Sequence, residues 1–256
     1  MIRRPPAAVA RQLRQEAGFG CAECGNPIIE YHHIIEWREK NHFEPEHMVA
    51  LCPNHHTQYG KLSRERAYKI KQAPYNIRKG YITGFLGGNK RQKLLRLGSL
   101  RLADCHSAIS FSEFSIFSYR LIDGEYQLNA YLPDANFWPE IKIVNNTVTA
   151  KTGNFWDIEY KVNWIKFRRK QGEVFLSIDF RHDDIIVNGK LRILGEYFEF
   201  SSQETSIGNS KFGECFVSHC QTGLAFGPNG KIHPPNYAMC VPRPILDVQK
   251  VRRKIQ

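Results

Sequence analysis

Residues 21–56 run from Cys21-Ala22-Glu23-Cys24 through Tyr31-His32-His33-Ile34-Ile35 to Leu51-Cys52-Pro53-Asn54-His55-His56. This stretch contains three of the seven cysteines and six of the ten histidines in a chain of 256 residues. Side chains that bind metal ions are seldom gathered so densely within an otherwise ordinary composition. We therefore expect the stretch to contain two metal sites built into one small module.

Four of these residues are spaced as two halves of a zinc site. Two residues separate Cys21 from Cys24, and Cys52 and His55 repeat that spacing. Together they offer four nitrogen and sulfur ligands, the tetrahedral set that structural zinc prefers. The alternatives are four unrelated buried residues or a redox pair at Cys21 and Cys24, but a redox pair needs no second half-site. Zinc would also stabilise a module of about 40 residues, which has little apolar surface of its own.

A second group of histidines predicts a separate site beside the zinc. Its members are His32, His33, His47 and His56. His32 and His33 lie in an apolar run that favours a strand, where neighbouring side chains point to opposite sides. The pair His55-His56 opens a predicted helix after Pro53, and successive helical residues diverge by about 100°. One member of a pair can therefore bind zinc while the other faces a different site.

This combination of zinc half-sites with a His-His-Ile strand resembles the HNH endonuclease family over about residues 17–60. The resemblance implies a ββα-metal fold, which is a hairpin followed by a helix. It implies that His33 is the general base that deprotonates the attacking water. It also implies that His32 and His56 hold one divalent ion against the scissile phosphate.

Two positions depart from the family pattern. His55 stands where many members have a fourth zinc cysteine, and imidazole is also a good zinc ligand. His47 stands where the family has an asparagine that braces the loop carrying the base. The resemblance implies that His47 braces this loop, although a histidine ring differs from an amide in shape and possible charge. An inactive, binding-only module is therefore an alternative.

The chemistry of phosphodiester hydrolysis fits these residue types. A neutral histidine near pH 7 can activate water, and one bound ion can stabilise the phosphate charge and the leaving oxygen. Two imidazole ligands favour manganese, nickel or zinc over magnesium, which prefers oxygen ligands. Because magnesium is the commoner ion in cells, Mg²⁺, Mn²⁺ and Ni²⁺ are all candidates for the catalytic metal.

The formal net charge of +11 is concentrated directly after the histidine cluster. Residues 61–101 carry twelve lysines and arginines against Glu65 alone. A basic segment beside such a site is typical of nucleic-acid binding, and it holds phosphates without reading sequence. The alternative is the solvated face of a linker. The predicted contacts are Lys61, Arg64, Arg66, Lys69, Lys71, Arg78, Lys79, Lys90, Arg91 and Lys93.

Composition along the chain predicts an α+β protein. We expect a zinc-stabilised ββα-metal nuclease domain over residues 1–75, a basic glycine-containing linker over 76–105, and a β-rich domain over 106–256. The β-rich domain is expected to serve recognition, dimerisation or regulation. Helices are expected at 7–17 and 63–72, where Gly18 and Pro74 stop them.

The β-rich part consists of short runs of β-branched and aromatic residues separated by turn residues. The clearest turn is Asn188-Gly189, which predicts a two-residue hairpin within residues 185–193. These runs predict mostly antiparallel strands in a sandwich, barrel or solenoid. A looser late cluster fits either buried core thiols or a second zinc site. It consists of Cys215, His219, Cys220, His233 and Cys240.

The remaining expectations concern location and partners. No run of about 18 apolar residues is present, so no membrane span is expected, and no apolar segment follows the basic N-terminus. An odd number of cysteines suits the cytoplasm.

The predicted function is metal-dependent cleavage of double-stranded DNA, with RNA as an alternative, in restriction or anti-phage defence by family analogy. A double-strand break would need repeated nicking or a homodimer. The other candidates are an inactive zinc-dependent nucleic-acid-binding module and a ligand-gated effector whose β-rich domain is the sensor.

Overall fold

The chain forms two compact units. The computed structural model describes residues 4–60, 63–87, 94–111, 114–134, 136, 138–193, 195–228 and 237–243. The first unit comprises Met1–Gly84, Thr149–Val162 and Phe167–Glu173, and the second comprises Phe85–Val148, Asn163–Lys166 and Val174–Gln256. Within the described ranges no helix has the length and apolar character needed to cross a membrane.

The helices belong to the first unit, and the three predicted ones, at 7–17, after Pro53 and at 63–72, are confirmed. The α-helices are α1 Ala7–Glu16, α2 Pro53–Tyr59, α3 Arg64–Gln72 and α4 Tyr75–Lys79. α1 ends just before Gly18, whose φ of 64° is in the left-handed region that stops a helix. α3 begins after Ser63, whose side chain accepts a hydrogen bond from Arg66 N at 3.4 Å. A serine in this position satisfies an amide that the helix itself cannot.

The predicted metal-binding stretch forms a short antiparallel hairpin followed by a helix. β1 Glu30–His33 pairs with β2 Met48–Leu51, with His33 opposite Met48. All four side chains of β2 are buried, whereas those of β1 are only partly covered. The core beneath the hairpin is formed by Cys21, Ala22, Ile34, Val49, Leu51, Cys52, Tyr59 and Ala67.

Part of the predicted β-rich domain belongs to the first unit. Arg14 on α1 donates to both carboxylate oxygens of Asp157, at 2.9 and 2.8 Å, and its third nitrogen donates to the Tyr31 hydroxyl at 2.9 Å. The Asp157 side chain is only 4% exposed, and a buried carboxylate is retained only where it is paired and hydrogen-bonded. This contact spans 143 residues of sequence, so no local pattern could predict it.

Strands dominate the rest of the chain. They are β3 Tyr81–Phe85, β4 Leu95–Leu97, β5 Leu100–Phe111, β6 Phe114–Ile122, β7 Glu125–Pro133, β8 Pro139–Val144, β9 Thr147–Lys151, β10 Asp157–Lys161, β11 Trp164–Lys170, β12 Glu173–Asp179, β13 Ile185–Ile193, β14 Glu196–Phe200, β15 Thr205–Ile207, β16 Ser210–Phe212, β17 Cys215–Pro228 and β18 Tyr237–Arg243. Short 3₁₀ turns lie at Pro45–His47 and Thr152–Asn154.

In the second unit the strand order is β12-β13-β4-β5-β6-β7-β8. β14, β15 and β16 continue from β13, whereas β17 and β18 continue from β5. Most described ladders are antiparallel, as predicted, but β13–β4, β5–β17 and β17–β18 are parallel. The choice between sandwich, barrel and solenoid stays a prediction.

The predicted hairpin at Asn188-Gly189 is wrong, because β13 runs straight through both residues. A Cβ added to Gly189 would lie 2.3 Å from the carbonyl oxygen of Phe175 on β12. The glycine is therefore explained by close approach of a neighbouring backbone, which is a recognised reason for glycine inside a strand.

The segment predicted as a linker, residues 76–105, contains most of α4, then β3, β4 and the first half of β5. Gly80 and Gly98 lie in turns, and Gly84 lies inside β3. Gly98, with φ of 61°, occupies the two-residue turn between β4 and β5 and packs against the backbone of Ser201. The sequence did not predict this β4–β5 hairpin, because Arg96 and Arg101 interrupt an otherwise apolar pattern and make the segment basic.

The late cluster does not assemble as a second zinc site among the described residues. Cys220 lies instead beside Cys105, with the two sulfurs 3.1 Å apart. His219 and Cys215 take no part in a metal-ligand group. His233 lies outside the described residues.

Candidate metal centre and histidine cluster

The structure brings the four predicted zinc ligands together. Cys21 and Cys24 come from the loop before β1, Cys52 immediately precedes α2, and His55 lies in its first turn. Their ligand atoms all lie within 4.8 Å of one another. The Sγ atoms of Cys24 and Cys52 are 3.8 Å apart, and His55 Nδ1 is 3.5 Å from Cys21 Sγ and 3.3 Å from Cys52 Sγ.

These separations fit a tetrahedral ion. Zinc binds sulfur at about 2.3 Å and nitrogen at about 2.0–2.1 Å, so a tetrahedron has edges of about 3.8 Å between sulfurs and about 3.6 Å between sulfur and nitrogen. Burial raises the pKa of the Cys24 thiol to about 12, and the neighbouring Cys21 sulfur adds to the shift. Burial also raises the pKa of Cys21. A bound cation removes this penalty by stabilising the thiolates, so the four residues could hold a metal ion.

His32 on β1 and His56 on α2 form a second pair. Their ring centroids are 5.3 Å apart with the planes nearly perpendicular, a separation at which two imidazoles can bind one ion. Burial, together with repulsion from His56 and His33, lowers the pKa of His32 to about 4. This ring is therefore neutral near pH 7, which is the state that binds a metal.

Glu30 orients the His56 ring. Its carboxylate lies 3.1 Å from His56 Nδ1, two residues before His32 on the same side of β1. A carboxylate that accepts the Nδ1 proton fixes the tautomer and leaves Nε2 as the nitrogen that can bind an ion. Sequence reasoning missed Glu30, although a carboxylate two residues before a candidate ligand on a strand was available as a signal.

His33 points away from this pair, as alternation along a strand requires. Its Nε2 lies 3.1 Å from the backbone carbonyl oxygen of His42, and its ring packs against Trp37 and Phe43 at centroid distances of 5.4 and 5.9 Å. Because a carbonyl only accepts, Nε2 carries the proton of the neutral ring. Nδ1 is then the nitrogen with a lone pair, as a general base requires.

The residue that braces the loop between β1 and β2 is His42. It is 5% exposed, and both of its ring nitrogens bond to the loop backbone. Nδ1 accepts from Glu44 N at 3.2 Å, so Nε2 donates to the Ile35 carbonyl at 2.9 Å. These two bonds hold the loop in the path that aims the His42 carbonyl at His33. The sequence offered only an unassigned histidine here.

His47, the residue predicted to brace this loop, is engaged differently. Its Nδ1 lies 2.8 Å from the Tyr68 hydroxyl on α3, its Nε2 lies 3.8 Å from the Glu44 carboxylate, and its ring packs edge-on against that of His42. His47 O accepts a hydrogen bond from Ile34 N at 2.8 Å. Both histidines therefore contact the loop, His42 through hydrogen bonds to its backbone, and the bracing role of His47 stays a prediction.

The predicted basic contacts separate into two groups. Arg66, Lys69 and Arg78 line an open groove of about 560 Å³ beside the zinc ligands, together with Glu23 and Glu65. This arrangement collects three cations on one exposed surface of the first unit. The two acidic side chains reduce but do not cancel its positive charge.

Partial neutralisation or cover affects both groups. In the groove, Arg66 Nη2 lies 3.9 Å from Glu23 Oε1, and the Arg66 and Arg78 guanidinium groups lie over the rings of Tyr59 and Tyr75. Three more of the predicted contacts are engaged outside the groove. The Arg64 guanidinium pairs with the Glu39 carboxylate, with Nη1 to Oε1 at 3.2 Å, and Lys71 pairs with Glu16. Lys79 lies over the ring of Tyr75, with Nζ 5.6 Å from its centroid. Four further predicted contacts lie outside the described residues. They are Lys61, Lys90, Arg91 and Lys93.

The cluster therefore contains a tetrahedral ligand set, a separate imidazole pair and a histidine whose tautomer is set by a carbonyl. Such an arrangement is chemically able to hold an ion beside a group that accepts a proton from water. Comparison with protein-family models, with curated proteins and with solved structures found no match to this chain.

Proposed function

We propose that this chain is a metal-dependent endonuclease of the HNH type that hydrolyses phosphodiester bonds in DNA. The observation that carries the proposal is the contact between His33 Nε2 and the His42 carbonyl, beside the pair of His32 and His56. The carbonyl supports a proton-free Nδ1 on His33, which takes the proton of the attacking water. Rigid placement of this ring reduces the entropic cost of reaching the transition state.

Two different metal sites belong to this proposal. Cys21, Cys24, Cys52 and His55 would hold a structural zinc, because their separations match its tetrahedron. His32 and His56 would hold the catalytic ion, which would be Mg²⁺, Mn²⁺ or Ni²⁺. When bound, that ion supplies Lewis-acid stabilisation of the phosphate and of the leaving oxygen. Glu30 keeps the His56 ring in the tautomer that leaves a nitrogen for it.

The groove lined by Arg66, Lys69 and Arg78 supports double-stranded DNA as the substrate. Cations on an exposed surface attract the phosphate backbone without regard to sequence. One catalytic centre cuts one strand, so a pair of chains or repeated nicking would be needed for a double-strand break. A place in restriction or anti-phage defence is part of the same proposal.

The test is cleavage of supercoiled plasmid by the purified chain with Mg²⁺, Mn²⁺ or Ni²⁺. Nicked and linear products should form only when a metal is present, and His56→Ala should abolish them while leaving zinc content unchanged. Retarded migration of DNA without cutting under any metal would replace the nuclease with a nucleic-acid-binding module. Activity that appears only on addition of a small ligand would favour the gated effector.

His42→Ala is expected to lower the cleavage rate about a hundredfold, because a displacement of about 1 Å at a catalytic group can have an effect of this size. The variant loses both side-chain hydrogen bonds that hold the loop between β1 and β2. The backbone carbonyl of residue 42 is then no longer fixed against the His33 ring. Metal affinity should stay within about twofold of the parent, since His32 and His56 are untouched. Initial nicking rates and calorimetric titration with Mn²⁺ measure the two quantities.

His47→Ala is the matched control for this variant, because it removes a histidine from the same loop and leaves both hydrogen bonds of the His42 ring in place. Its cleavage rate should fall less than that of His42→Ala. A larger loss in His47→Ala would contradict the assignment and return the bracing role to the position expected from sequence.

A further inference from the structure

Two arginines face each other on the second unit. The register of β4 and β5 places Arg96 directly opposite Arg101. The flanking leucines on both strands are completely buried, so strand alternation puts both arginines on the solvent side of the sheet. Arg101 is exposed and Arg96 is partly covered. The two-residue turn at Gly98-Ser99 fixes this pairing.

This pairing is electrostatically unfavourable in the free protein. Directly opposite side chains have Cβ atoms about 4.5–5.5 Å apart, and like charges at that separation repel. Within the described residues neither arginine has an ion-pair partner, and the buried Nε of Arg96 has no hydrogen-bond acceptor. A buried donor without an acceptor is also costly, so it adds to the unfavourable free energy of this pairing.

An exposed aromatic ring lies next to the arginine pair. Phe216 on β17 is the register partner of Arg101, and 62% of its surface is exposed. On the other side of the pair, Ile186 on β13 is the partner of Arg96. With strands about 4.8 Å apart, the row Ile186, Arg96, Arg101 and Phe216 spans about 14 Å across four adjacent strands.

We infer that this row, the Arg96–Arg101–Phe216 site, binds single-stranded nucleic acid. The two guanidinium groups would bind one phosphate, since their planar donors match its oxygens. Phe216 would stack on a neighbouring base, which is possible only when the base is unpaired. A bound phosphate also removes the repulsion between the arginines.

This inference rests on the proposed function and deepens it, because it gives the β-rich unit its own contact with the substrate. It predicts preference for a nucleic acid that contains a single-stranded segment, such as a gap, flap or displaced strand.

The test measures binding of a fluorescent twelve-residue oligothymidylate to the full chain by anisotropy. Every protein carries His33→Ala, so cutting is prevented without a chelator that would remove zinc. Arg101→Gln and Phe216→Ala should each weaken binding about fivefold or more. The double variant Arg96→Gln, Arg101→Gln should weaken the salt dependence. The slope of log affinity against log salt should become less negative by about 0.7, the value for one phosphate contact on a single strand. Phe216→Ala should leave that slope unchanged.

Three controls make the result specific. Arg120→Gln removes the same charge from an exposed arginine elsewhere on the second unit and should bind like the parent. A duplex of the same length should be insensitive to Phe216→Ala. Arg96→Gln should raise the melting temperature of the free protein, because it relieves the repulsion, whereas loss of a merely structural arginine would lower it.

The inference is overturned if the parent does not bind the oligonucleotide, or if the variants bind it as the parent does. Equal losses in Arg120→Gln would also overturn it, because they would reflect net charge alone. Plasmid cleavage by the chain with His33 intact, together with unchanged oligonucleotide binding in the variants, would remove this site and leave the nuclease. Weakened binding in a chain that never cuts DNA would remove the nuclease and leave this site.

Discussion

Cys24→Ser is expected to release the structural zinc and to unfold the module built from β1, β2 and α2. Structural zinc contributes about 10–16 kcal/mol of binding free energy in small modules, comparable to or larger than the total stability of a typical domain, about 5–15 kcal/mol. Cys24 is the informative ligand because it is exposed, whereas Cys21 and Cys52 also belong to the apolar core. Its replacement therefore removes a ligand while changing little packing.

Zinc content per chain, measured by plasma mass spectrometry, should fall from about one to near zero. Hydrogen exchange should lose its protection across residues 21–59. Cys215→Ser is the matched control, because this half-buried cysteine belongs to no metal-ligand group among the described residues. If Cys24→Ser kept one zinc per chain and its protection, the four-ligand site would be wrong.

His33→Ala should reduce plasmid nicking by about a thousandfold, within the range of 10²–10⁴ that a general base contributes. The water that attacks the phosphate then has no positioned group to accept its proton. Affinity for Mn²⁺ should remain that of the parent, because the proposed ligands His32 and His56 are intact. The separation of these two effects distinguishes a base from a metal ligand.

Initial rates with supercoiled plasmid and calorimetry with Mn²⁺ provide the two measurements. Added imidazole should restore part of the rate, since it can enter the space left by the ring. His182→Ala, which removes an exposed histidine in the second unit, should cut at the parent rate. Parent-level cutting by His33→Ala would exclude His33 as the base.

The four candidate metal ligands and the helices α1 and α3 were predictable because their signals are local. Two-residue ligand spacing and an N-cap serine are satisfied by neighbours in sequence. The identity of the loop brace was not predictable in this way. His42 and His47 are both histidines of one irregular loop, and only the path of its backbone decides which ring faces the carbonyl of Ile35.

Sequence-based predictions missed the structure where the same local pattern can arise from two different structures. Asn-Gly usually marks a turn, but the backbone of β12 approaches Gly189 so closely that a glycine is required in mid-strand. Likewise, a basic segment with several glycines resembles a linker, yet it contains the hairpin that sets Arg96 against Arg101. In both cases the deciding partner is a strand distant in sequence.

By itself, the sequence determined the metal-binding stretch, the order of hairpin and helix, and the strand-rich character of the second half. These follow from ligand spacing, capping and strand periodicity, which act over a few residues. Only the tertiary structure decided that Asp157 holds Arg14, that the His42 carbonyl sets the tautomer of His33, and that Phe216 lies beside Arg101. Those contacts depend on register and loop path, which are set by packing between segments far apart in the chain.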